Sequence, residues 1–323
     1  MPLPALTRLQ EDPYVTRAIE LGRATETRLP GEQLIPQVQN PRESWEVKFL
    51  VWGLERFYHF DTRRALHARF GESTFGNTWE TATMERYGHA HPRDRDEFEV
   101  AHPRLNLRRR ATDFARWIVR QDLEHVKADL IEDTASYDPA NVITLAGATE
   151  WDTAGGDPQG DISAAAALIT ASTGVQRPDL TIFLSNSSSV AALASPAWRT
   201  VTDQLTDAFP DLARLASYLG VKRVWTANPQ QYAPATDDLA DLYTDFALVY
   251  IEADDPRIIA QFDGSWGNNF RWAVDWTRRG GFAGQRYEEK GRTTEFWPWE
   301  QFSLPAVING GAAVLIRNVS AAV

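Results

Sequence analysis

Six histidines, all before residue 126, are the first residues in this chain that could do chemistry. His89, His91 and His102 stand close enough together to be weighed as metal ligands, since neutral imidazole is a common zinc donor. Their flanks are polar and loop-like, and no H-E-x-x-H pattern sets two imidazoles on one helix face. The serines of residues 185–189 lack the G-x-S-x-G turn that presents a nucleophile, and no histidine follows His125 to serve them locally. They read as caps for the helix that follows. Glu252 and Asp255, near several tryptophans, could in principle form a glycosidase acid–base pair. With 44 acidic residues in the chain, proximity alone selects no pair. Trp297 and Trp299 have two readings, a sugar-stacking platform or large anchors for a core or subunit interface. Alternation of the tryptophans with polar residues favours the anchors.

Residues 141–183, NVITLAGATEWDTAGGDPQGDISAAAALITASTGVQRPDLTIF, have the layout of a ligand loop without its reactive groups. An apolar run leads to a Gly-rich turn, a capped helix and a buried strand, with no Lys, His or Cys. Glu150, Asp152, Asp157 and Asp161 would repel a phosphate rather than cradle it. The pattern predicts a scaffold: no catalytic residue, no cofactor and no metal.

Composition narrows the class. At 323 residues the chain exceeds one ordinary core, so two or more domains are expected. A hydrophobic share of 43% beside a charged share of 24% places it among globular proteins. No apolar run reaches membrane-span length and the first ten residues hold no signal-peptide core, so no membrane association is expected. The absence of cysteine excludes disulfides and thiolate-bound metals. The net charge of −11 disfavours a dedicated nucleic-acid binder. Acids crowd residues 150–255, arginines crowd 93–120, and lysine occurs only at 48, 127, 222 and 290.

These residues must be positioned by recognisable elements. Prolines at 2, 4, 13, 30, 36 and 41 make residues 1–44 an arm, with at most one short helix near 15–22. WEVKFLVW at 45–52 reads as a strand. The runs 57–66 and 78–87 read as a long hairpin with little apolar surface and no evident partner within the chain. Residues 105–134 are the strongest helix, with Leu107, Ala111, Phe114, Ile118, Val119, Leu123, Val126 and Leu130 at helical spacing. Its first turns carry Arg104, Arg108, Arg109 and Arg110, against the preference of the helix dipole. That arrangement needs acids on a neighbour or an external anion, unless it is a solvated basic face. Asp161 reads as the cap of a second helix ending at Gly174, and 180–184 as a buried strand. Helices at 196–209 and 211–219 follow, then strands at 223–226 and 246–251, as in a compact α/β unit. FRWAVDW at 270–276 alternates as a half-buried strand does, and 285–297 and 312–319 read as further strands.

The order of these elements resembles the major capsid protein of tailed bacteriophages, a fold shared with encapsulins. WEVKFLVWGL and the polar run to Arg95 resemble the start of that fold and its extended loop. Residues 105–137 resemble its spine helix. NVITLAGATEW and GDISAAAALITASTGVQRPDLTIFLSN resemble the entry to its axial domain, and LASYLGVKRVW a helix and strand within it. RYEEKGRTTEFWPWEQFSLPAVINGGAAVLIRNV resembles the closing strands. The implied fold class is α+β: N-terminal arm, extended β-hairpin loop, peripheral domain with long spine helix and β-sheet, and α/β axial domain. The implied limits are 1–44 for the arm, 45–54 and 101–149 for the peripheral domain, and 55–100 for the extended loop. The axial domain is 150–262, with closing strands at 263–323.

The resemblance implies a structural protein, not an enzyme, assembling as hexamers and pentamers into an icosahedral shell around double-stranded DNA. It would assemble in the host cytoplasm and reside in the virion. Arg63, Arg64, Trp79 and Arg86 become candidates for intersubunit hairpin contacts. Arg104, Arg108, Arg109 and Arg110 become candidates for contacts to a neighbour or to the lumen, where phosphate is met without sequence preference. Residues 49–126 hold no lysine, so covalent cross-linking through the loop is not expected. The short arm implies a separate scaffolding protein, alongside a portal and a possible decoration protein. The rivals are an encapsulin-like compartment shell and a Trp-rich carbohydrate-active or carbohydrate-binding protein.

Overall fold

The structure, a computed structural model of the 323-residue chain, describes residues 29–39, 46–52, 77–94, 107–198, 212–227, 229–233, 238–252, 272–277, 282–283, 287–288 and 294–321. The helix expected near 15–22, and Arg63, Arg64, His102, Arg104 and Asp255, lie outside these residues. The chain divides into two compact units. One comprises Met1–Val47, Ala82–Asp129 and Val274–Ala306; the other comprises Lys48–Thr81, Leu130–Ala273 and Val307–Val323.

In the first unit the expected long helix spans Leu107–Glu132, 26 residues. At 1.5 Å per residue it is about 39 Å long. Its buried stripe differs from the one expected. Ala111, Val119 and Leu123 are buried, but Phe114 is exposed and Ile118 and Val126 are half-buried. Burial instead follows two adjacent four-residue rows. Ala111, Ala115, Val119 and Leu123 form one, and Thr112, Arg116, Glu124 and Ala128 belong to the other. Apolarity identifies only the first row, because charged residues in the second are buried through their partners.

Strand β1 (Gln37–Gln39) runs parallel to β11 (Ala273–Thr277), with Val38 opposite Trp276. The sheet continues through β14 (Thr294–Val307) to β12 (Phe282–Ala283), and β13 (Tyr287–Glu288) and β4 (Glu85–Asp94) also pair with β14. The β4 ladder is antiparallel and runs from Asp94 opposite Thr294 to Glu85 opposite Ser303. The later part of the polar run therefore has a partner inside the chain, contrary to expectation. That partner is remote in sequence, which is why local pattern could not supply it. Strand β2 (Glu46–Trp52), read as a strand, pairs with β3 (Asn77–Thr83) at the start of the 78–87 run, while the 57–66 run read as the other arm of the hairpin lies outside the described residues. Strand β11 is not half-buried: all five residues, Asp275 included, are buried.

The second unit is built on a sheet ordered β5 (Val142–Thr144), β15 (Ala313–Arg317), β10 (Phe246–Ile251), β6 (Leu180–Leu184) and β7 (Arg223–Thr226). Every residue of β6 and β10 is buried, as helix-covered central strands require, and their sequences LTIFL and FALVYI are accordingly apolar runs. Strand β15, read with the closing strands, is here the antiparallel neighbour of β10. Strands β8 (Gln230–Ala233) and β9 (Asp238–Asp241) form a separate antiparallel pair. The Ala-rich helix Pro158–Thr173 packs on β10 and β15, helix Asn186–Ala194 on β6 and β10, and helix Leu212–Leu219 on β7. Pro196 begins a helix of which residues 196–198 are described.

Gly174 closes the Ala-rich helix at φ +76°, as expected, but the cap is Asp157 rather than Asp161. Pro158 starts the helix one turn earlier, and Asp157 Oδ1 accepts from Gly160 N at 2.9 Å. Asp161 instead accepts from the indole N–H of the fully buried Trp151 at 2.9 Å. Burial raises the Asp161 carboxyl above its ordinary pKa, the Trp151 bond opposes this, and the charge of Asp157 adds to it. Replacing Asp157 by Ala should cost about 1 kcal/mol in urea unfolding, as loss of a helix cap does. Unchanged stability would show that the cap is not holding this helix end.

Candidate functional site

The second row of the long helix, together with Lys127 one turn beyond Leu123 on the first, is the most chemically loaded feature of the first unit. Arg120 donates from Nε and Nη2 to the two oxygens of Glu32, each at 2.9 Å. One turn on, Glu124 Oε1 accepts from Gly31 N at 2.7 Å. Lys127 Nζ lies 2.8 Å from Asp275 Oδ2, both side chains being buried, and Ser303 donates to the other oxygen of Asp275. Arg116 lies over the ring of buried Trp299, 5.6 Å from its centroid. These charges thus hold the short helix Pro30–Leu34 and strand β11 against the long helix. Gly31 is required by this contact. A Cβ there would sit 2.7 Å from Glu124 Oε2 and 3.1 Å from Lys127 Cβ.

These charges have structural partners within the unit. Burial alone would raise the Glu32 carboxyl, but Arg120, with Lys127 and the Leu29 N–H, more than reverses this and holds it below the ordinary value. The other sequence candidates are likewise engaged. Ser185 caps its helix, as read, and also accepts from Phe246 N at 3.3 Å. Asp245 draws in Ser187, Ser188 and the Ser320 N–H. Glu252 is ion-paired with Lys222 at 2.6 Å. His89 and His91 lie on β4, and among the described residues no cluster of three metal-ligating side chains occurs. Trp297 and Trp299 are buried in the first unit, where Trp299 packs with Ala115, Val119 and Leu123, so they act as anchors and not as a stacking platform. Among the described residues no helix is long and apolar enough to cross a membrane.

The arginines read as contact residues divide differently. Arg109 lies 3.5 Å from Asp113 on its own helix, so part of the basic cluster is offset within the chain. Arg110 is exposed, and Arg108 and Trp79 lie on described backbone. Arg86 is ion-paired with the buried Glu300. Sequence reading missed one surface feature. Phe114 and Trp117, 43% and 53% exposed, stack on each other with centroids 5.9 Å apart, and His91 meets the edge of Phe114. Phe114 belongs to the apolar spacing read as the inner face of the helix, and Trp117 does not. Their positions outside the two buried rows were the available signal.

No family model and no curated protein matches the sequence. Solved structures do match, over nearly the whole chain. A phage-related protein from Bordetella bronchiseptica is similar at 17% identity and TM-score 0.74, covering 98% of this chain and 99% of that one. The capsid of cyanophage P-SCSP1u is similar at 10% identity and TM-score 0.57, covering 92% of each chain. The encapsulin of Synechococcus elongatus is similar at 11% identity and TM-score 0.52, covering 94% and 95%. The chain therefore has the tailed-phage capsid fold that the sequence resembled.

Two outcomes test the ion row. Replacing Lys127 by Met should cost about 3–5 kcal/mol in chemical denaturation, because Asp275 is left buried and uncompensated. The double variant K127M/D275L should recover part of that loss, and strict additivity would refute the coupling. The second outcome concerns pH. Glu32 has a lower pKa folded than unfolded, so its contribution is complete above the unfolded value, about 4.3, and is lost as pH falls through the folded value. Amide-exchange protection of Ile35, whose N–H bonds Gly31 O, should fall between about pH 5 and pH 3 while the β10 amides stay protected. Equal protection at both pH values would sink the role of Glu32.

Proposed function

We propose that this chain is a major capsid protein that self-assembles as hexamers and pentamers into an icosahedral shell enclosing double-stranded DNA. One observation carries the reading: similarity in fold extends over 92–98% of the chain to a phage-related protein and a phage capsid. The engaged state of the candidate catalytic groups is in keeping with a structural rather than enzymatic role. The virion is the proposed location, with assembly in the host cytoplasm. The proposed partners are further copies of the chain, a separate scaffolding protein, a portal, a possible decoration protein, and packaged DNA met through scattered arginines such as Arg104, Arg108 and Arg110. The domain limits read from the sequence, including an extended loop at 55–100, belong to the same proposal.

A second reading, an encapsulin-like compartment, is favoured by the similarity to the Synechococcus encapsulin. The same shell physics applies to both, since many interfaces of ordinary size, each about 1,200–2,000 Å², sum to a closed assembly. Nuclease-protected DNA inside purified particles supports the capsid reading, and co-purified protein cargo without DNA supports the compartment.

Negative-stain imaging of the purified chain, alone and with co-expressed scaffold, should show capsomers or uniform shells. A monomer under every condition would refute both readings. Replacing residues 55–75 by a short Gly/Ser linker removes Arg63 and Arg64 but keeps the β2–β3 and β4–β14 pairings. This variant should fold with near-normal thermal stability and fail to form stable shells; normal shells would remove the loop's intersubunit role.

A further inference from the structure

Lysine takes only four of the chain's 33 Lys and Arg positions. One of the four, Lys127, is buried where the long helix meets β11. Arginine, always charged and more weakly hydrated, is the cation better suited to a buried ion pair. Lysine offers something arginine does not, a nucleophilic amine once a proton has left it. Its Nζ lies 2.8 Å from Oδ2 of Asp275, with the side chains 1% and 0% exposed. Asp275 sits at the middle of β11, whose five residues are all buried, so bulk water is kept away. Oδ2 makes no hydrogen bond among the described residues, so the close approach of Nζ is not an aligned donor–acceptor contact. One C–O bond further on, Cγ is no more than about 4 Å from Nζ. Ser303, itself buried, donates to Oδ1 on the same carbon.

We propose that Lys127 and Asp275 condense into an intramolecular isopeptide bond between Nζ and Cγ. The ion pair is the unreacted state. Within it one proton passes from the ammonium to Oδ2, leaving an amine and a carboxylic acid. Burial favours this neutral pair, because charge held away from water is penalised. The Nζ lone pair attacks Cγ, and the negative charge that develops on Oδ1 meets the Ser303 hydroxyl. A second proton then moves from Nζ to Oδ2, the Cγ–Oδ2 bond breaks, and one water leaves. An ammonium and a carboxylate have become an amide and water, with no oxidant or cofactor consumed. Fixed side by side, the two groups react at the high effective concentration of an intramolecular pair. The bond ties the long helix to β11 covalently and closes a ring from residue 127 to residue 275. It requires only the folded protomer and stands apart from the shell reading.

Mass spectrometry of the full-length chain, denatured after purification in the folded state, tests the bond. The wild type should weigh about 18 Da, one water, less than its sequence requires. A protease digest should yield a branched peptide that contains both Lys127 and Asp275. K127R keeps the positive charge but has no nucleophilic amine, so the deficit and the branched peptide should both vanish. The main readout is made on the wild type, so it does not depend on how well K127R folds. A wild type that is folded by circular dichroism, kept for days, and still of full sequence mass overturns the proposal. A deficit that persists in K127R, or that maps to another pair of residues, also overturns it.

Discussion

The first unit depends on one constraint: charged groups buried along the long helix must each meet a partner. Lys127 and Asp275 are both buried, at a desolvation cost of several kcal/mol per ion before their attraction is counted. The pair is tolerated because Nζ and Oδ2 are 2.8 Å apart and Ser303 occupies the remaining carboxylate oxygen. The same demand fixes Glu124 on the Gly31 N–H and Arg120 on Glu32. Such groups tolerate few alternative registers. A shift of helix Pro30–Leu34 by one residue would strand Glu124 and press a side chain into space that only glycine leaves open.

The second unit is held by different physics. Its sheet is apolar through β6 and β10, with phenylalanine, tyrosine and tryptophan rings packed between strands and loops. Polar ties occur at its margins. Asp245 gathers a helix start and the chain's last described turn, and Trp151 ties residues 151 and 319 through a 2.8 Å backbone bond. The two units thus hold together differently: an apolar unit that keeps its shape, and an ion-fastened unit whose registry is specified by charge.

Much of the local structure was legible in the sequence. The long helix, the buried strands β6 and β10, the glycine end of the Ala-rich helix and the Ser185 cap all follow from periodicity, apolar runs and capping chemistry. These signals are local, arising within a few residues of the element they define. The order of the elements carried the resemblance to the capsid fold, to which the whole-chain structural likeness corresponds.

What the sequence could not determine was every feature that needed a distant partner. Asp157 displaced Asp161 as the cap because Trp151 claims the second carboxylate. The 85–94 run lost its apparent isolation because β14 lies more than 200 residues downstream. Burial of Arg116, Glu124 and Lys127, and exposure of Phe114 and Trp117, reversed what hydrophobicity implies for each. The chain by itself determined which segments become helix and strand, since that choice is set by short-range sterics and apolar spacing. The tertiary structure decided which helix face is inside, because the desolvation of a charge is offset only where folding delivers its counter-charge.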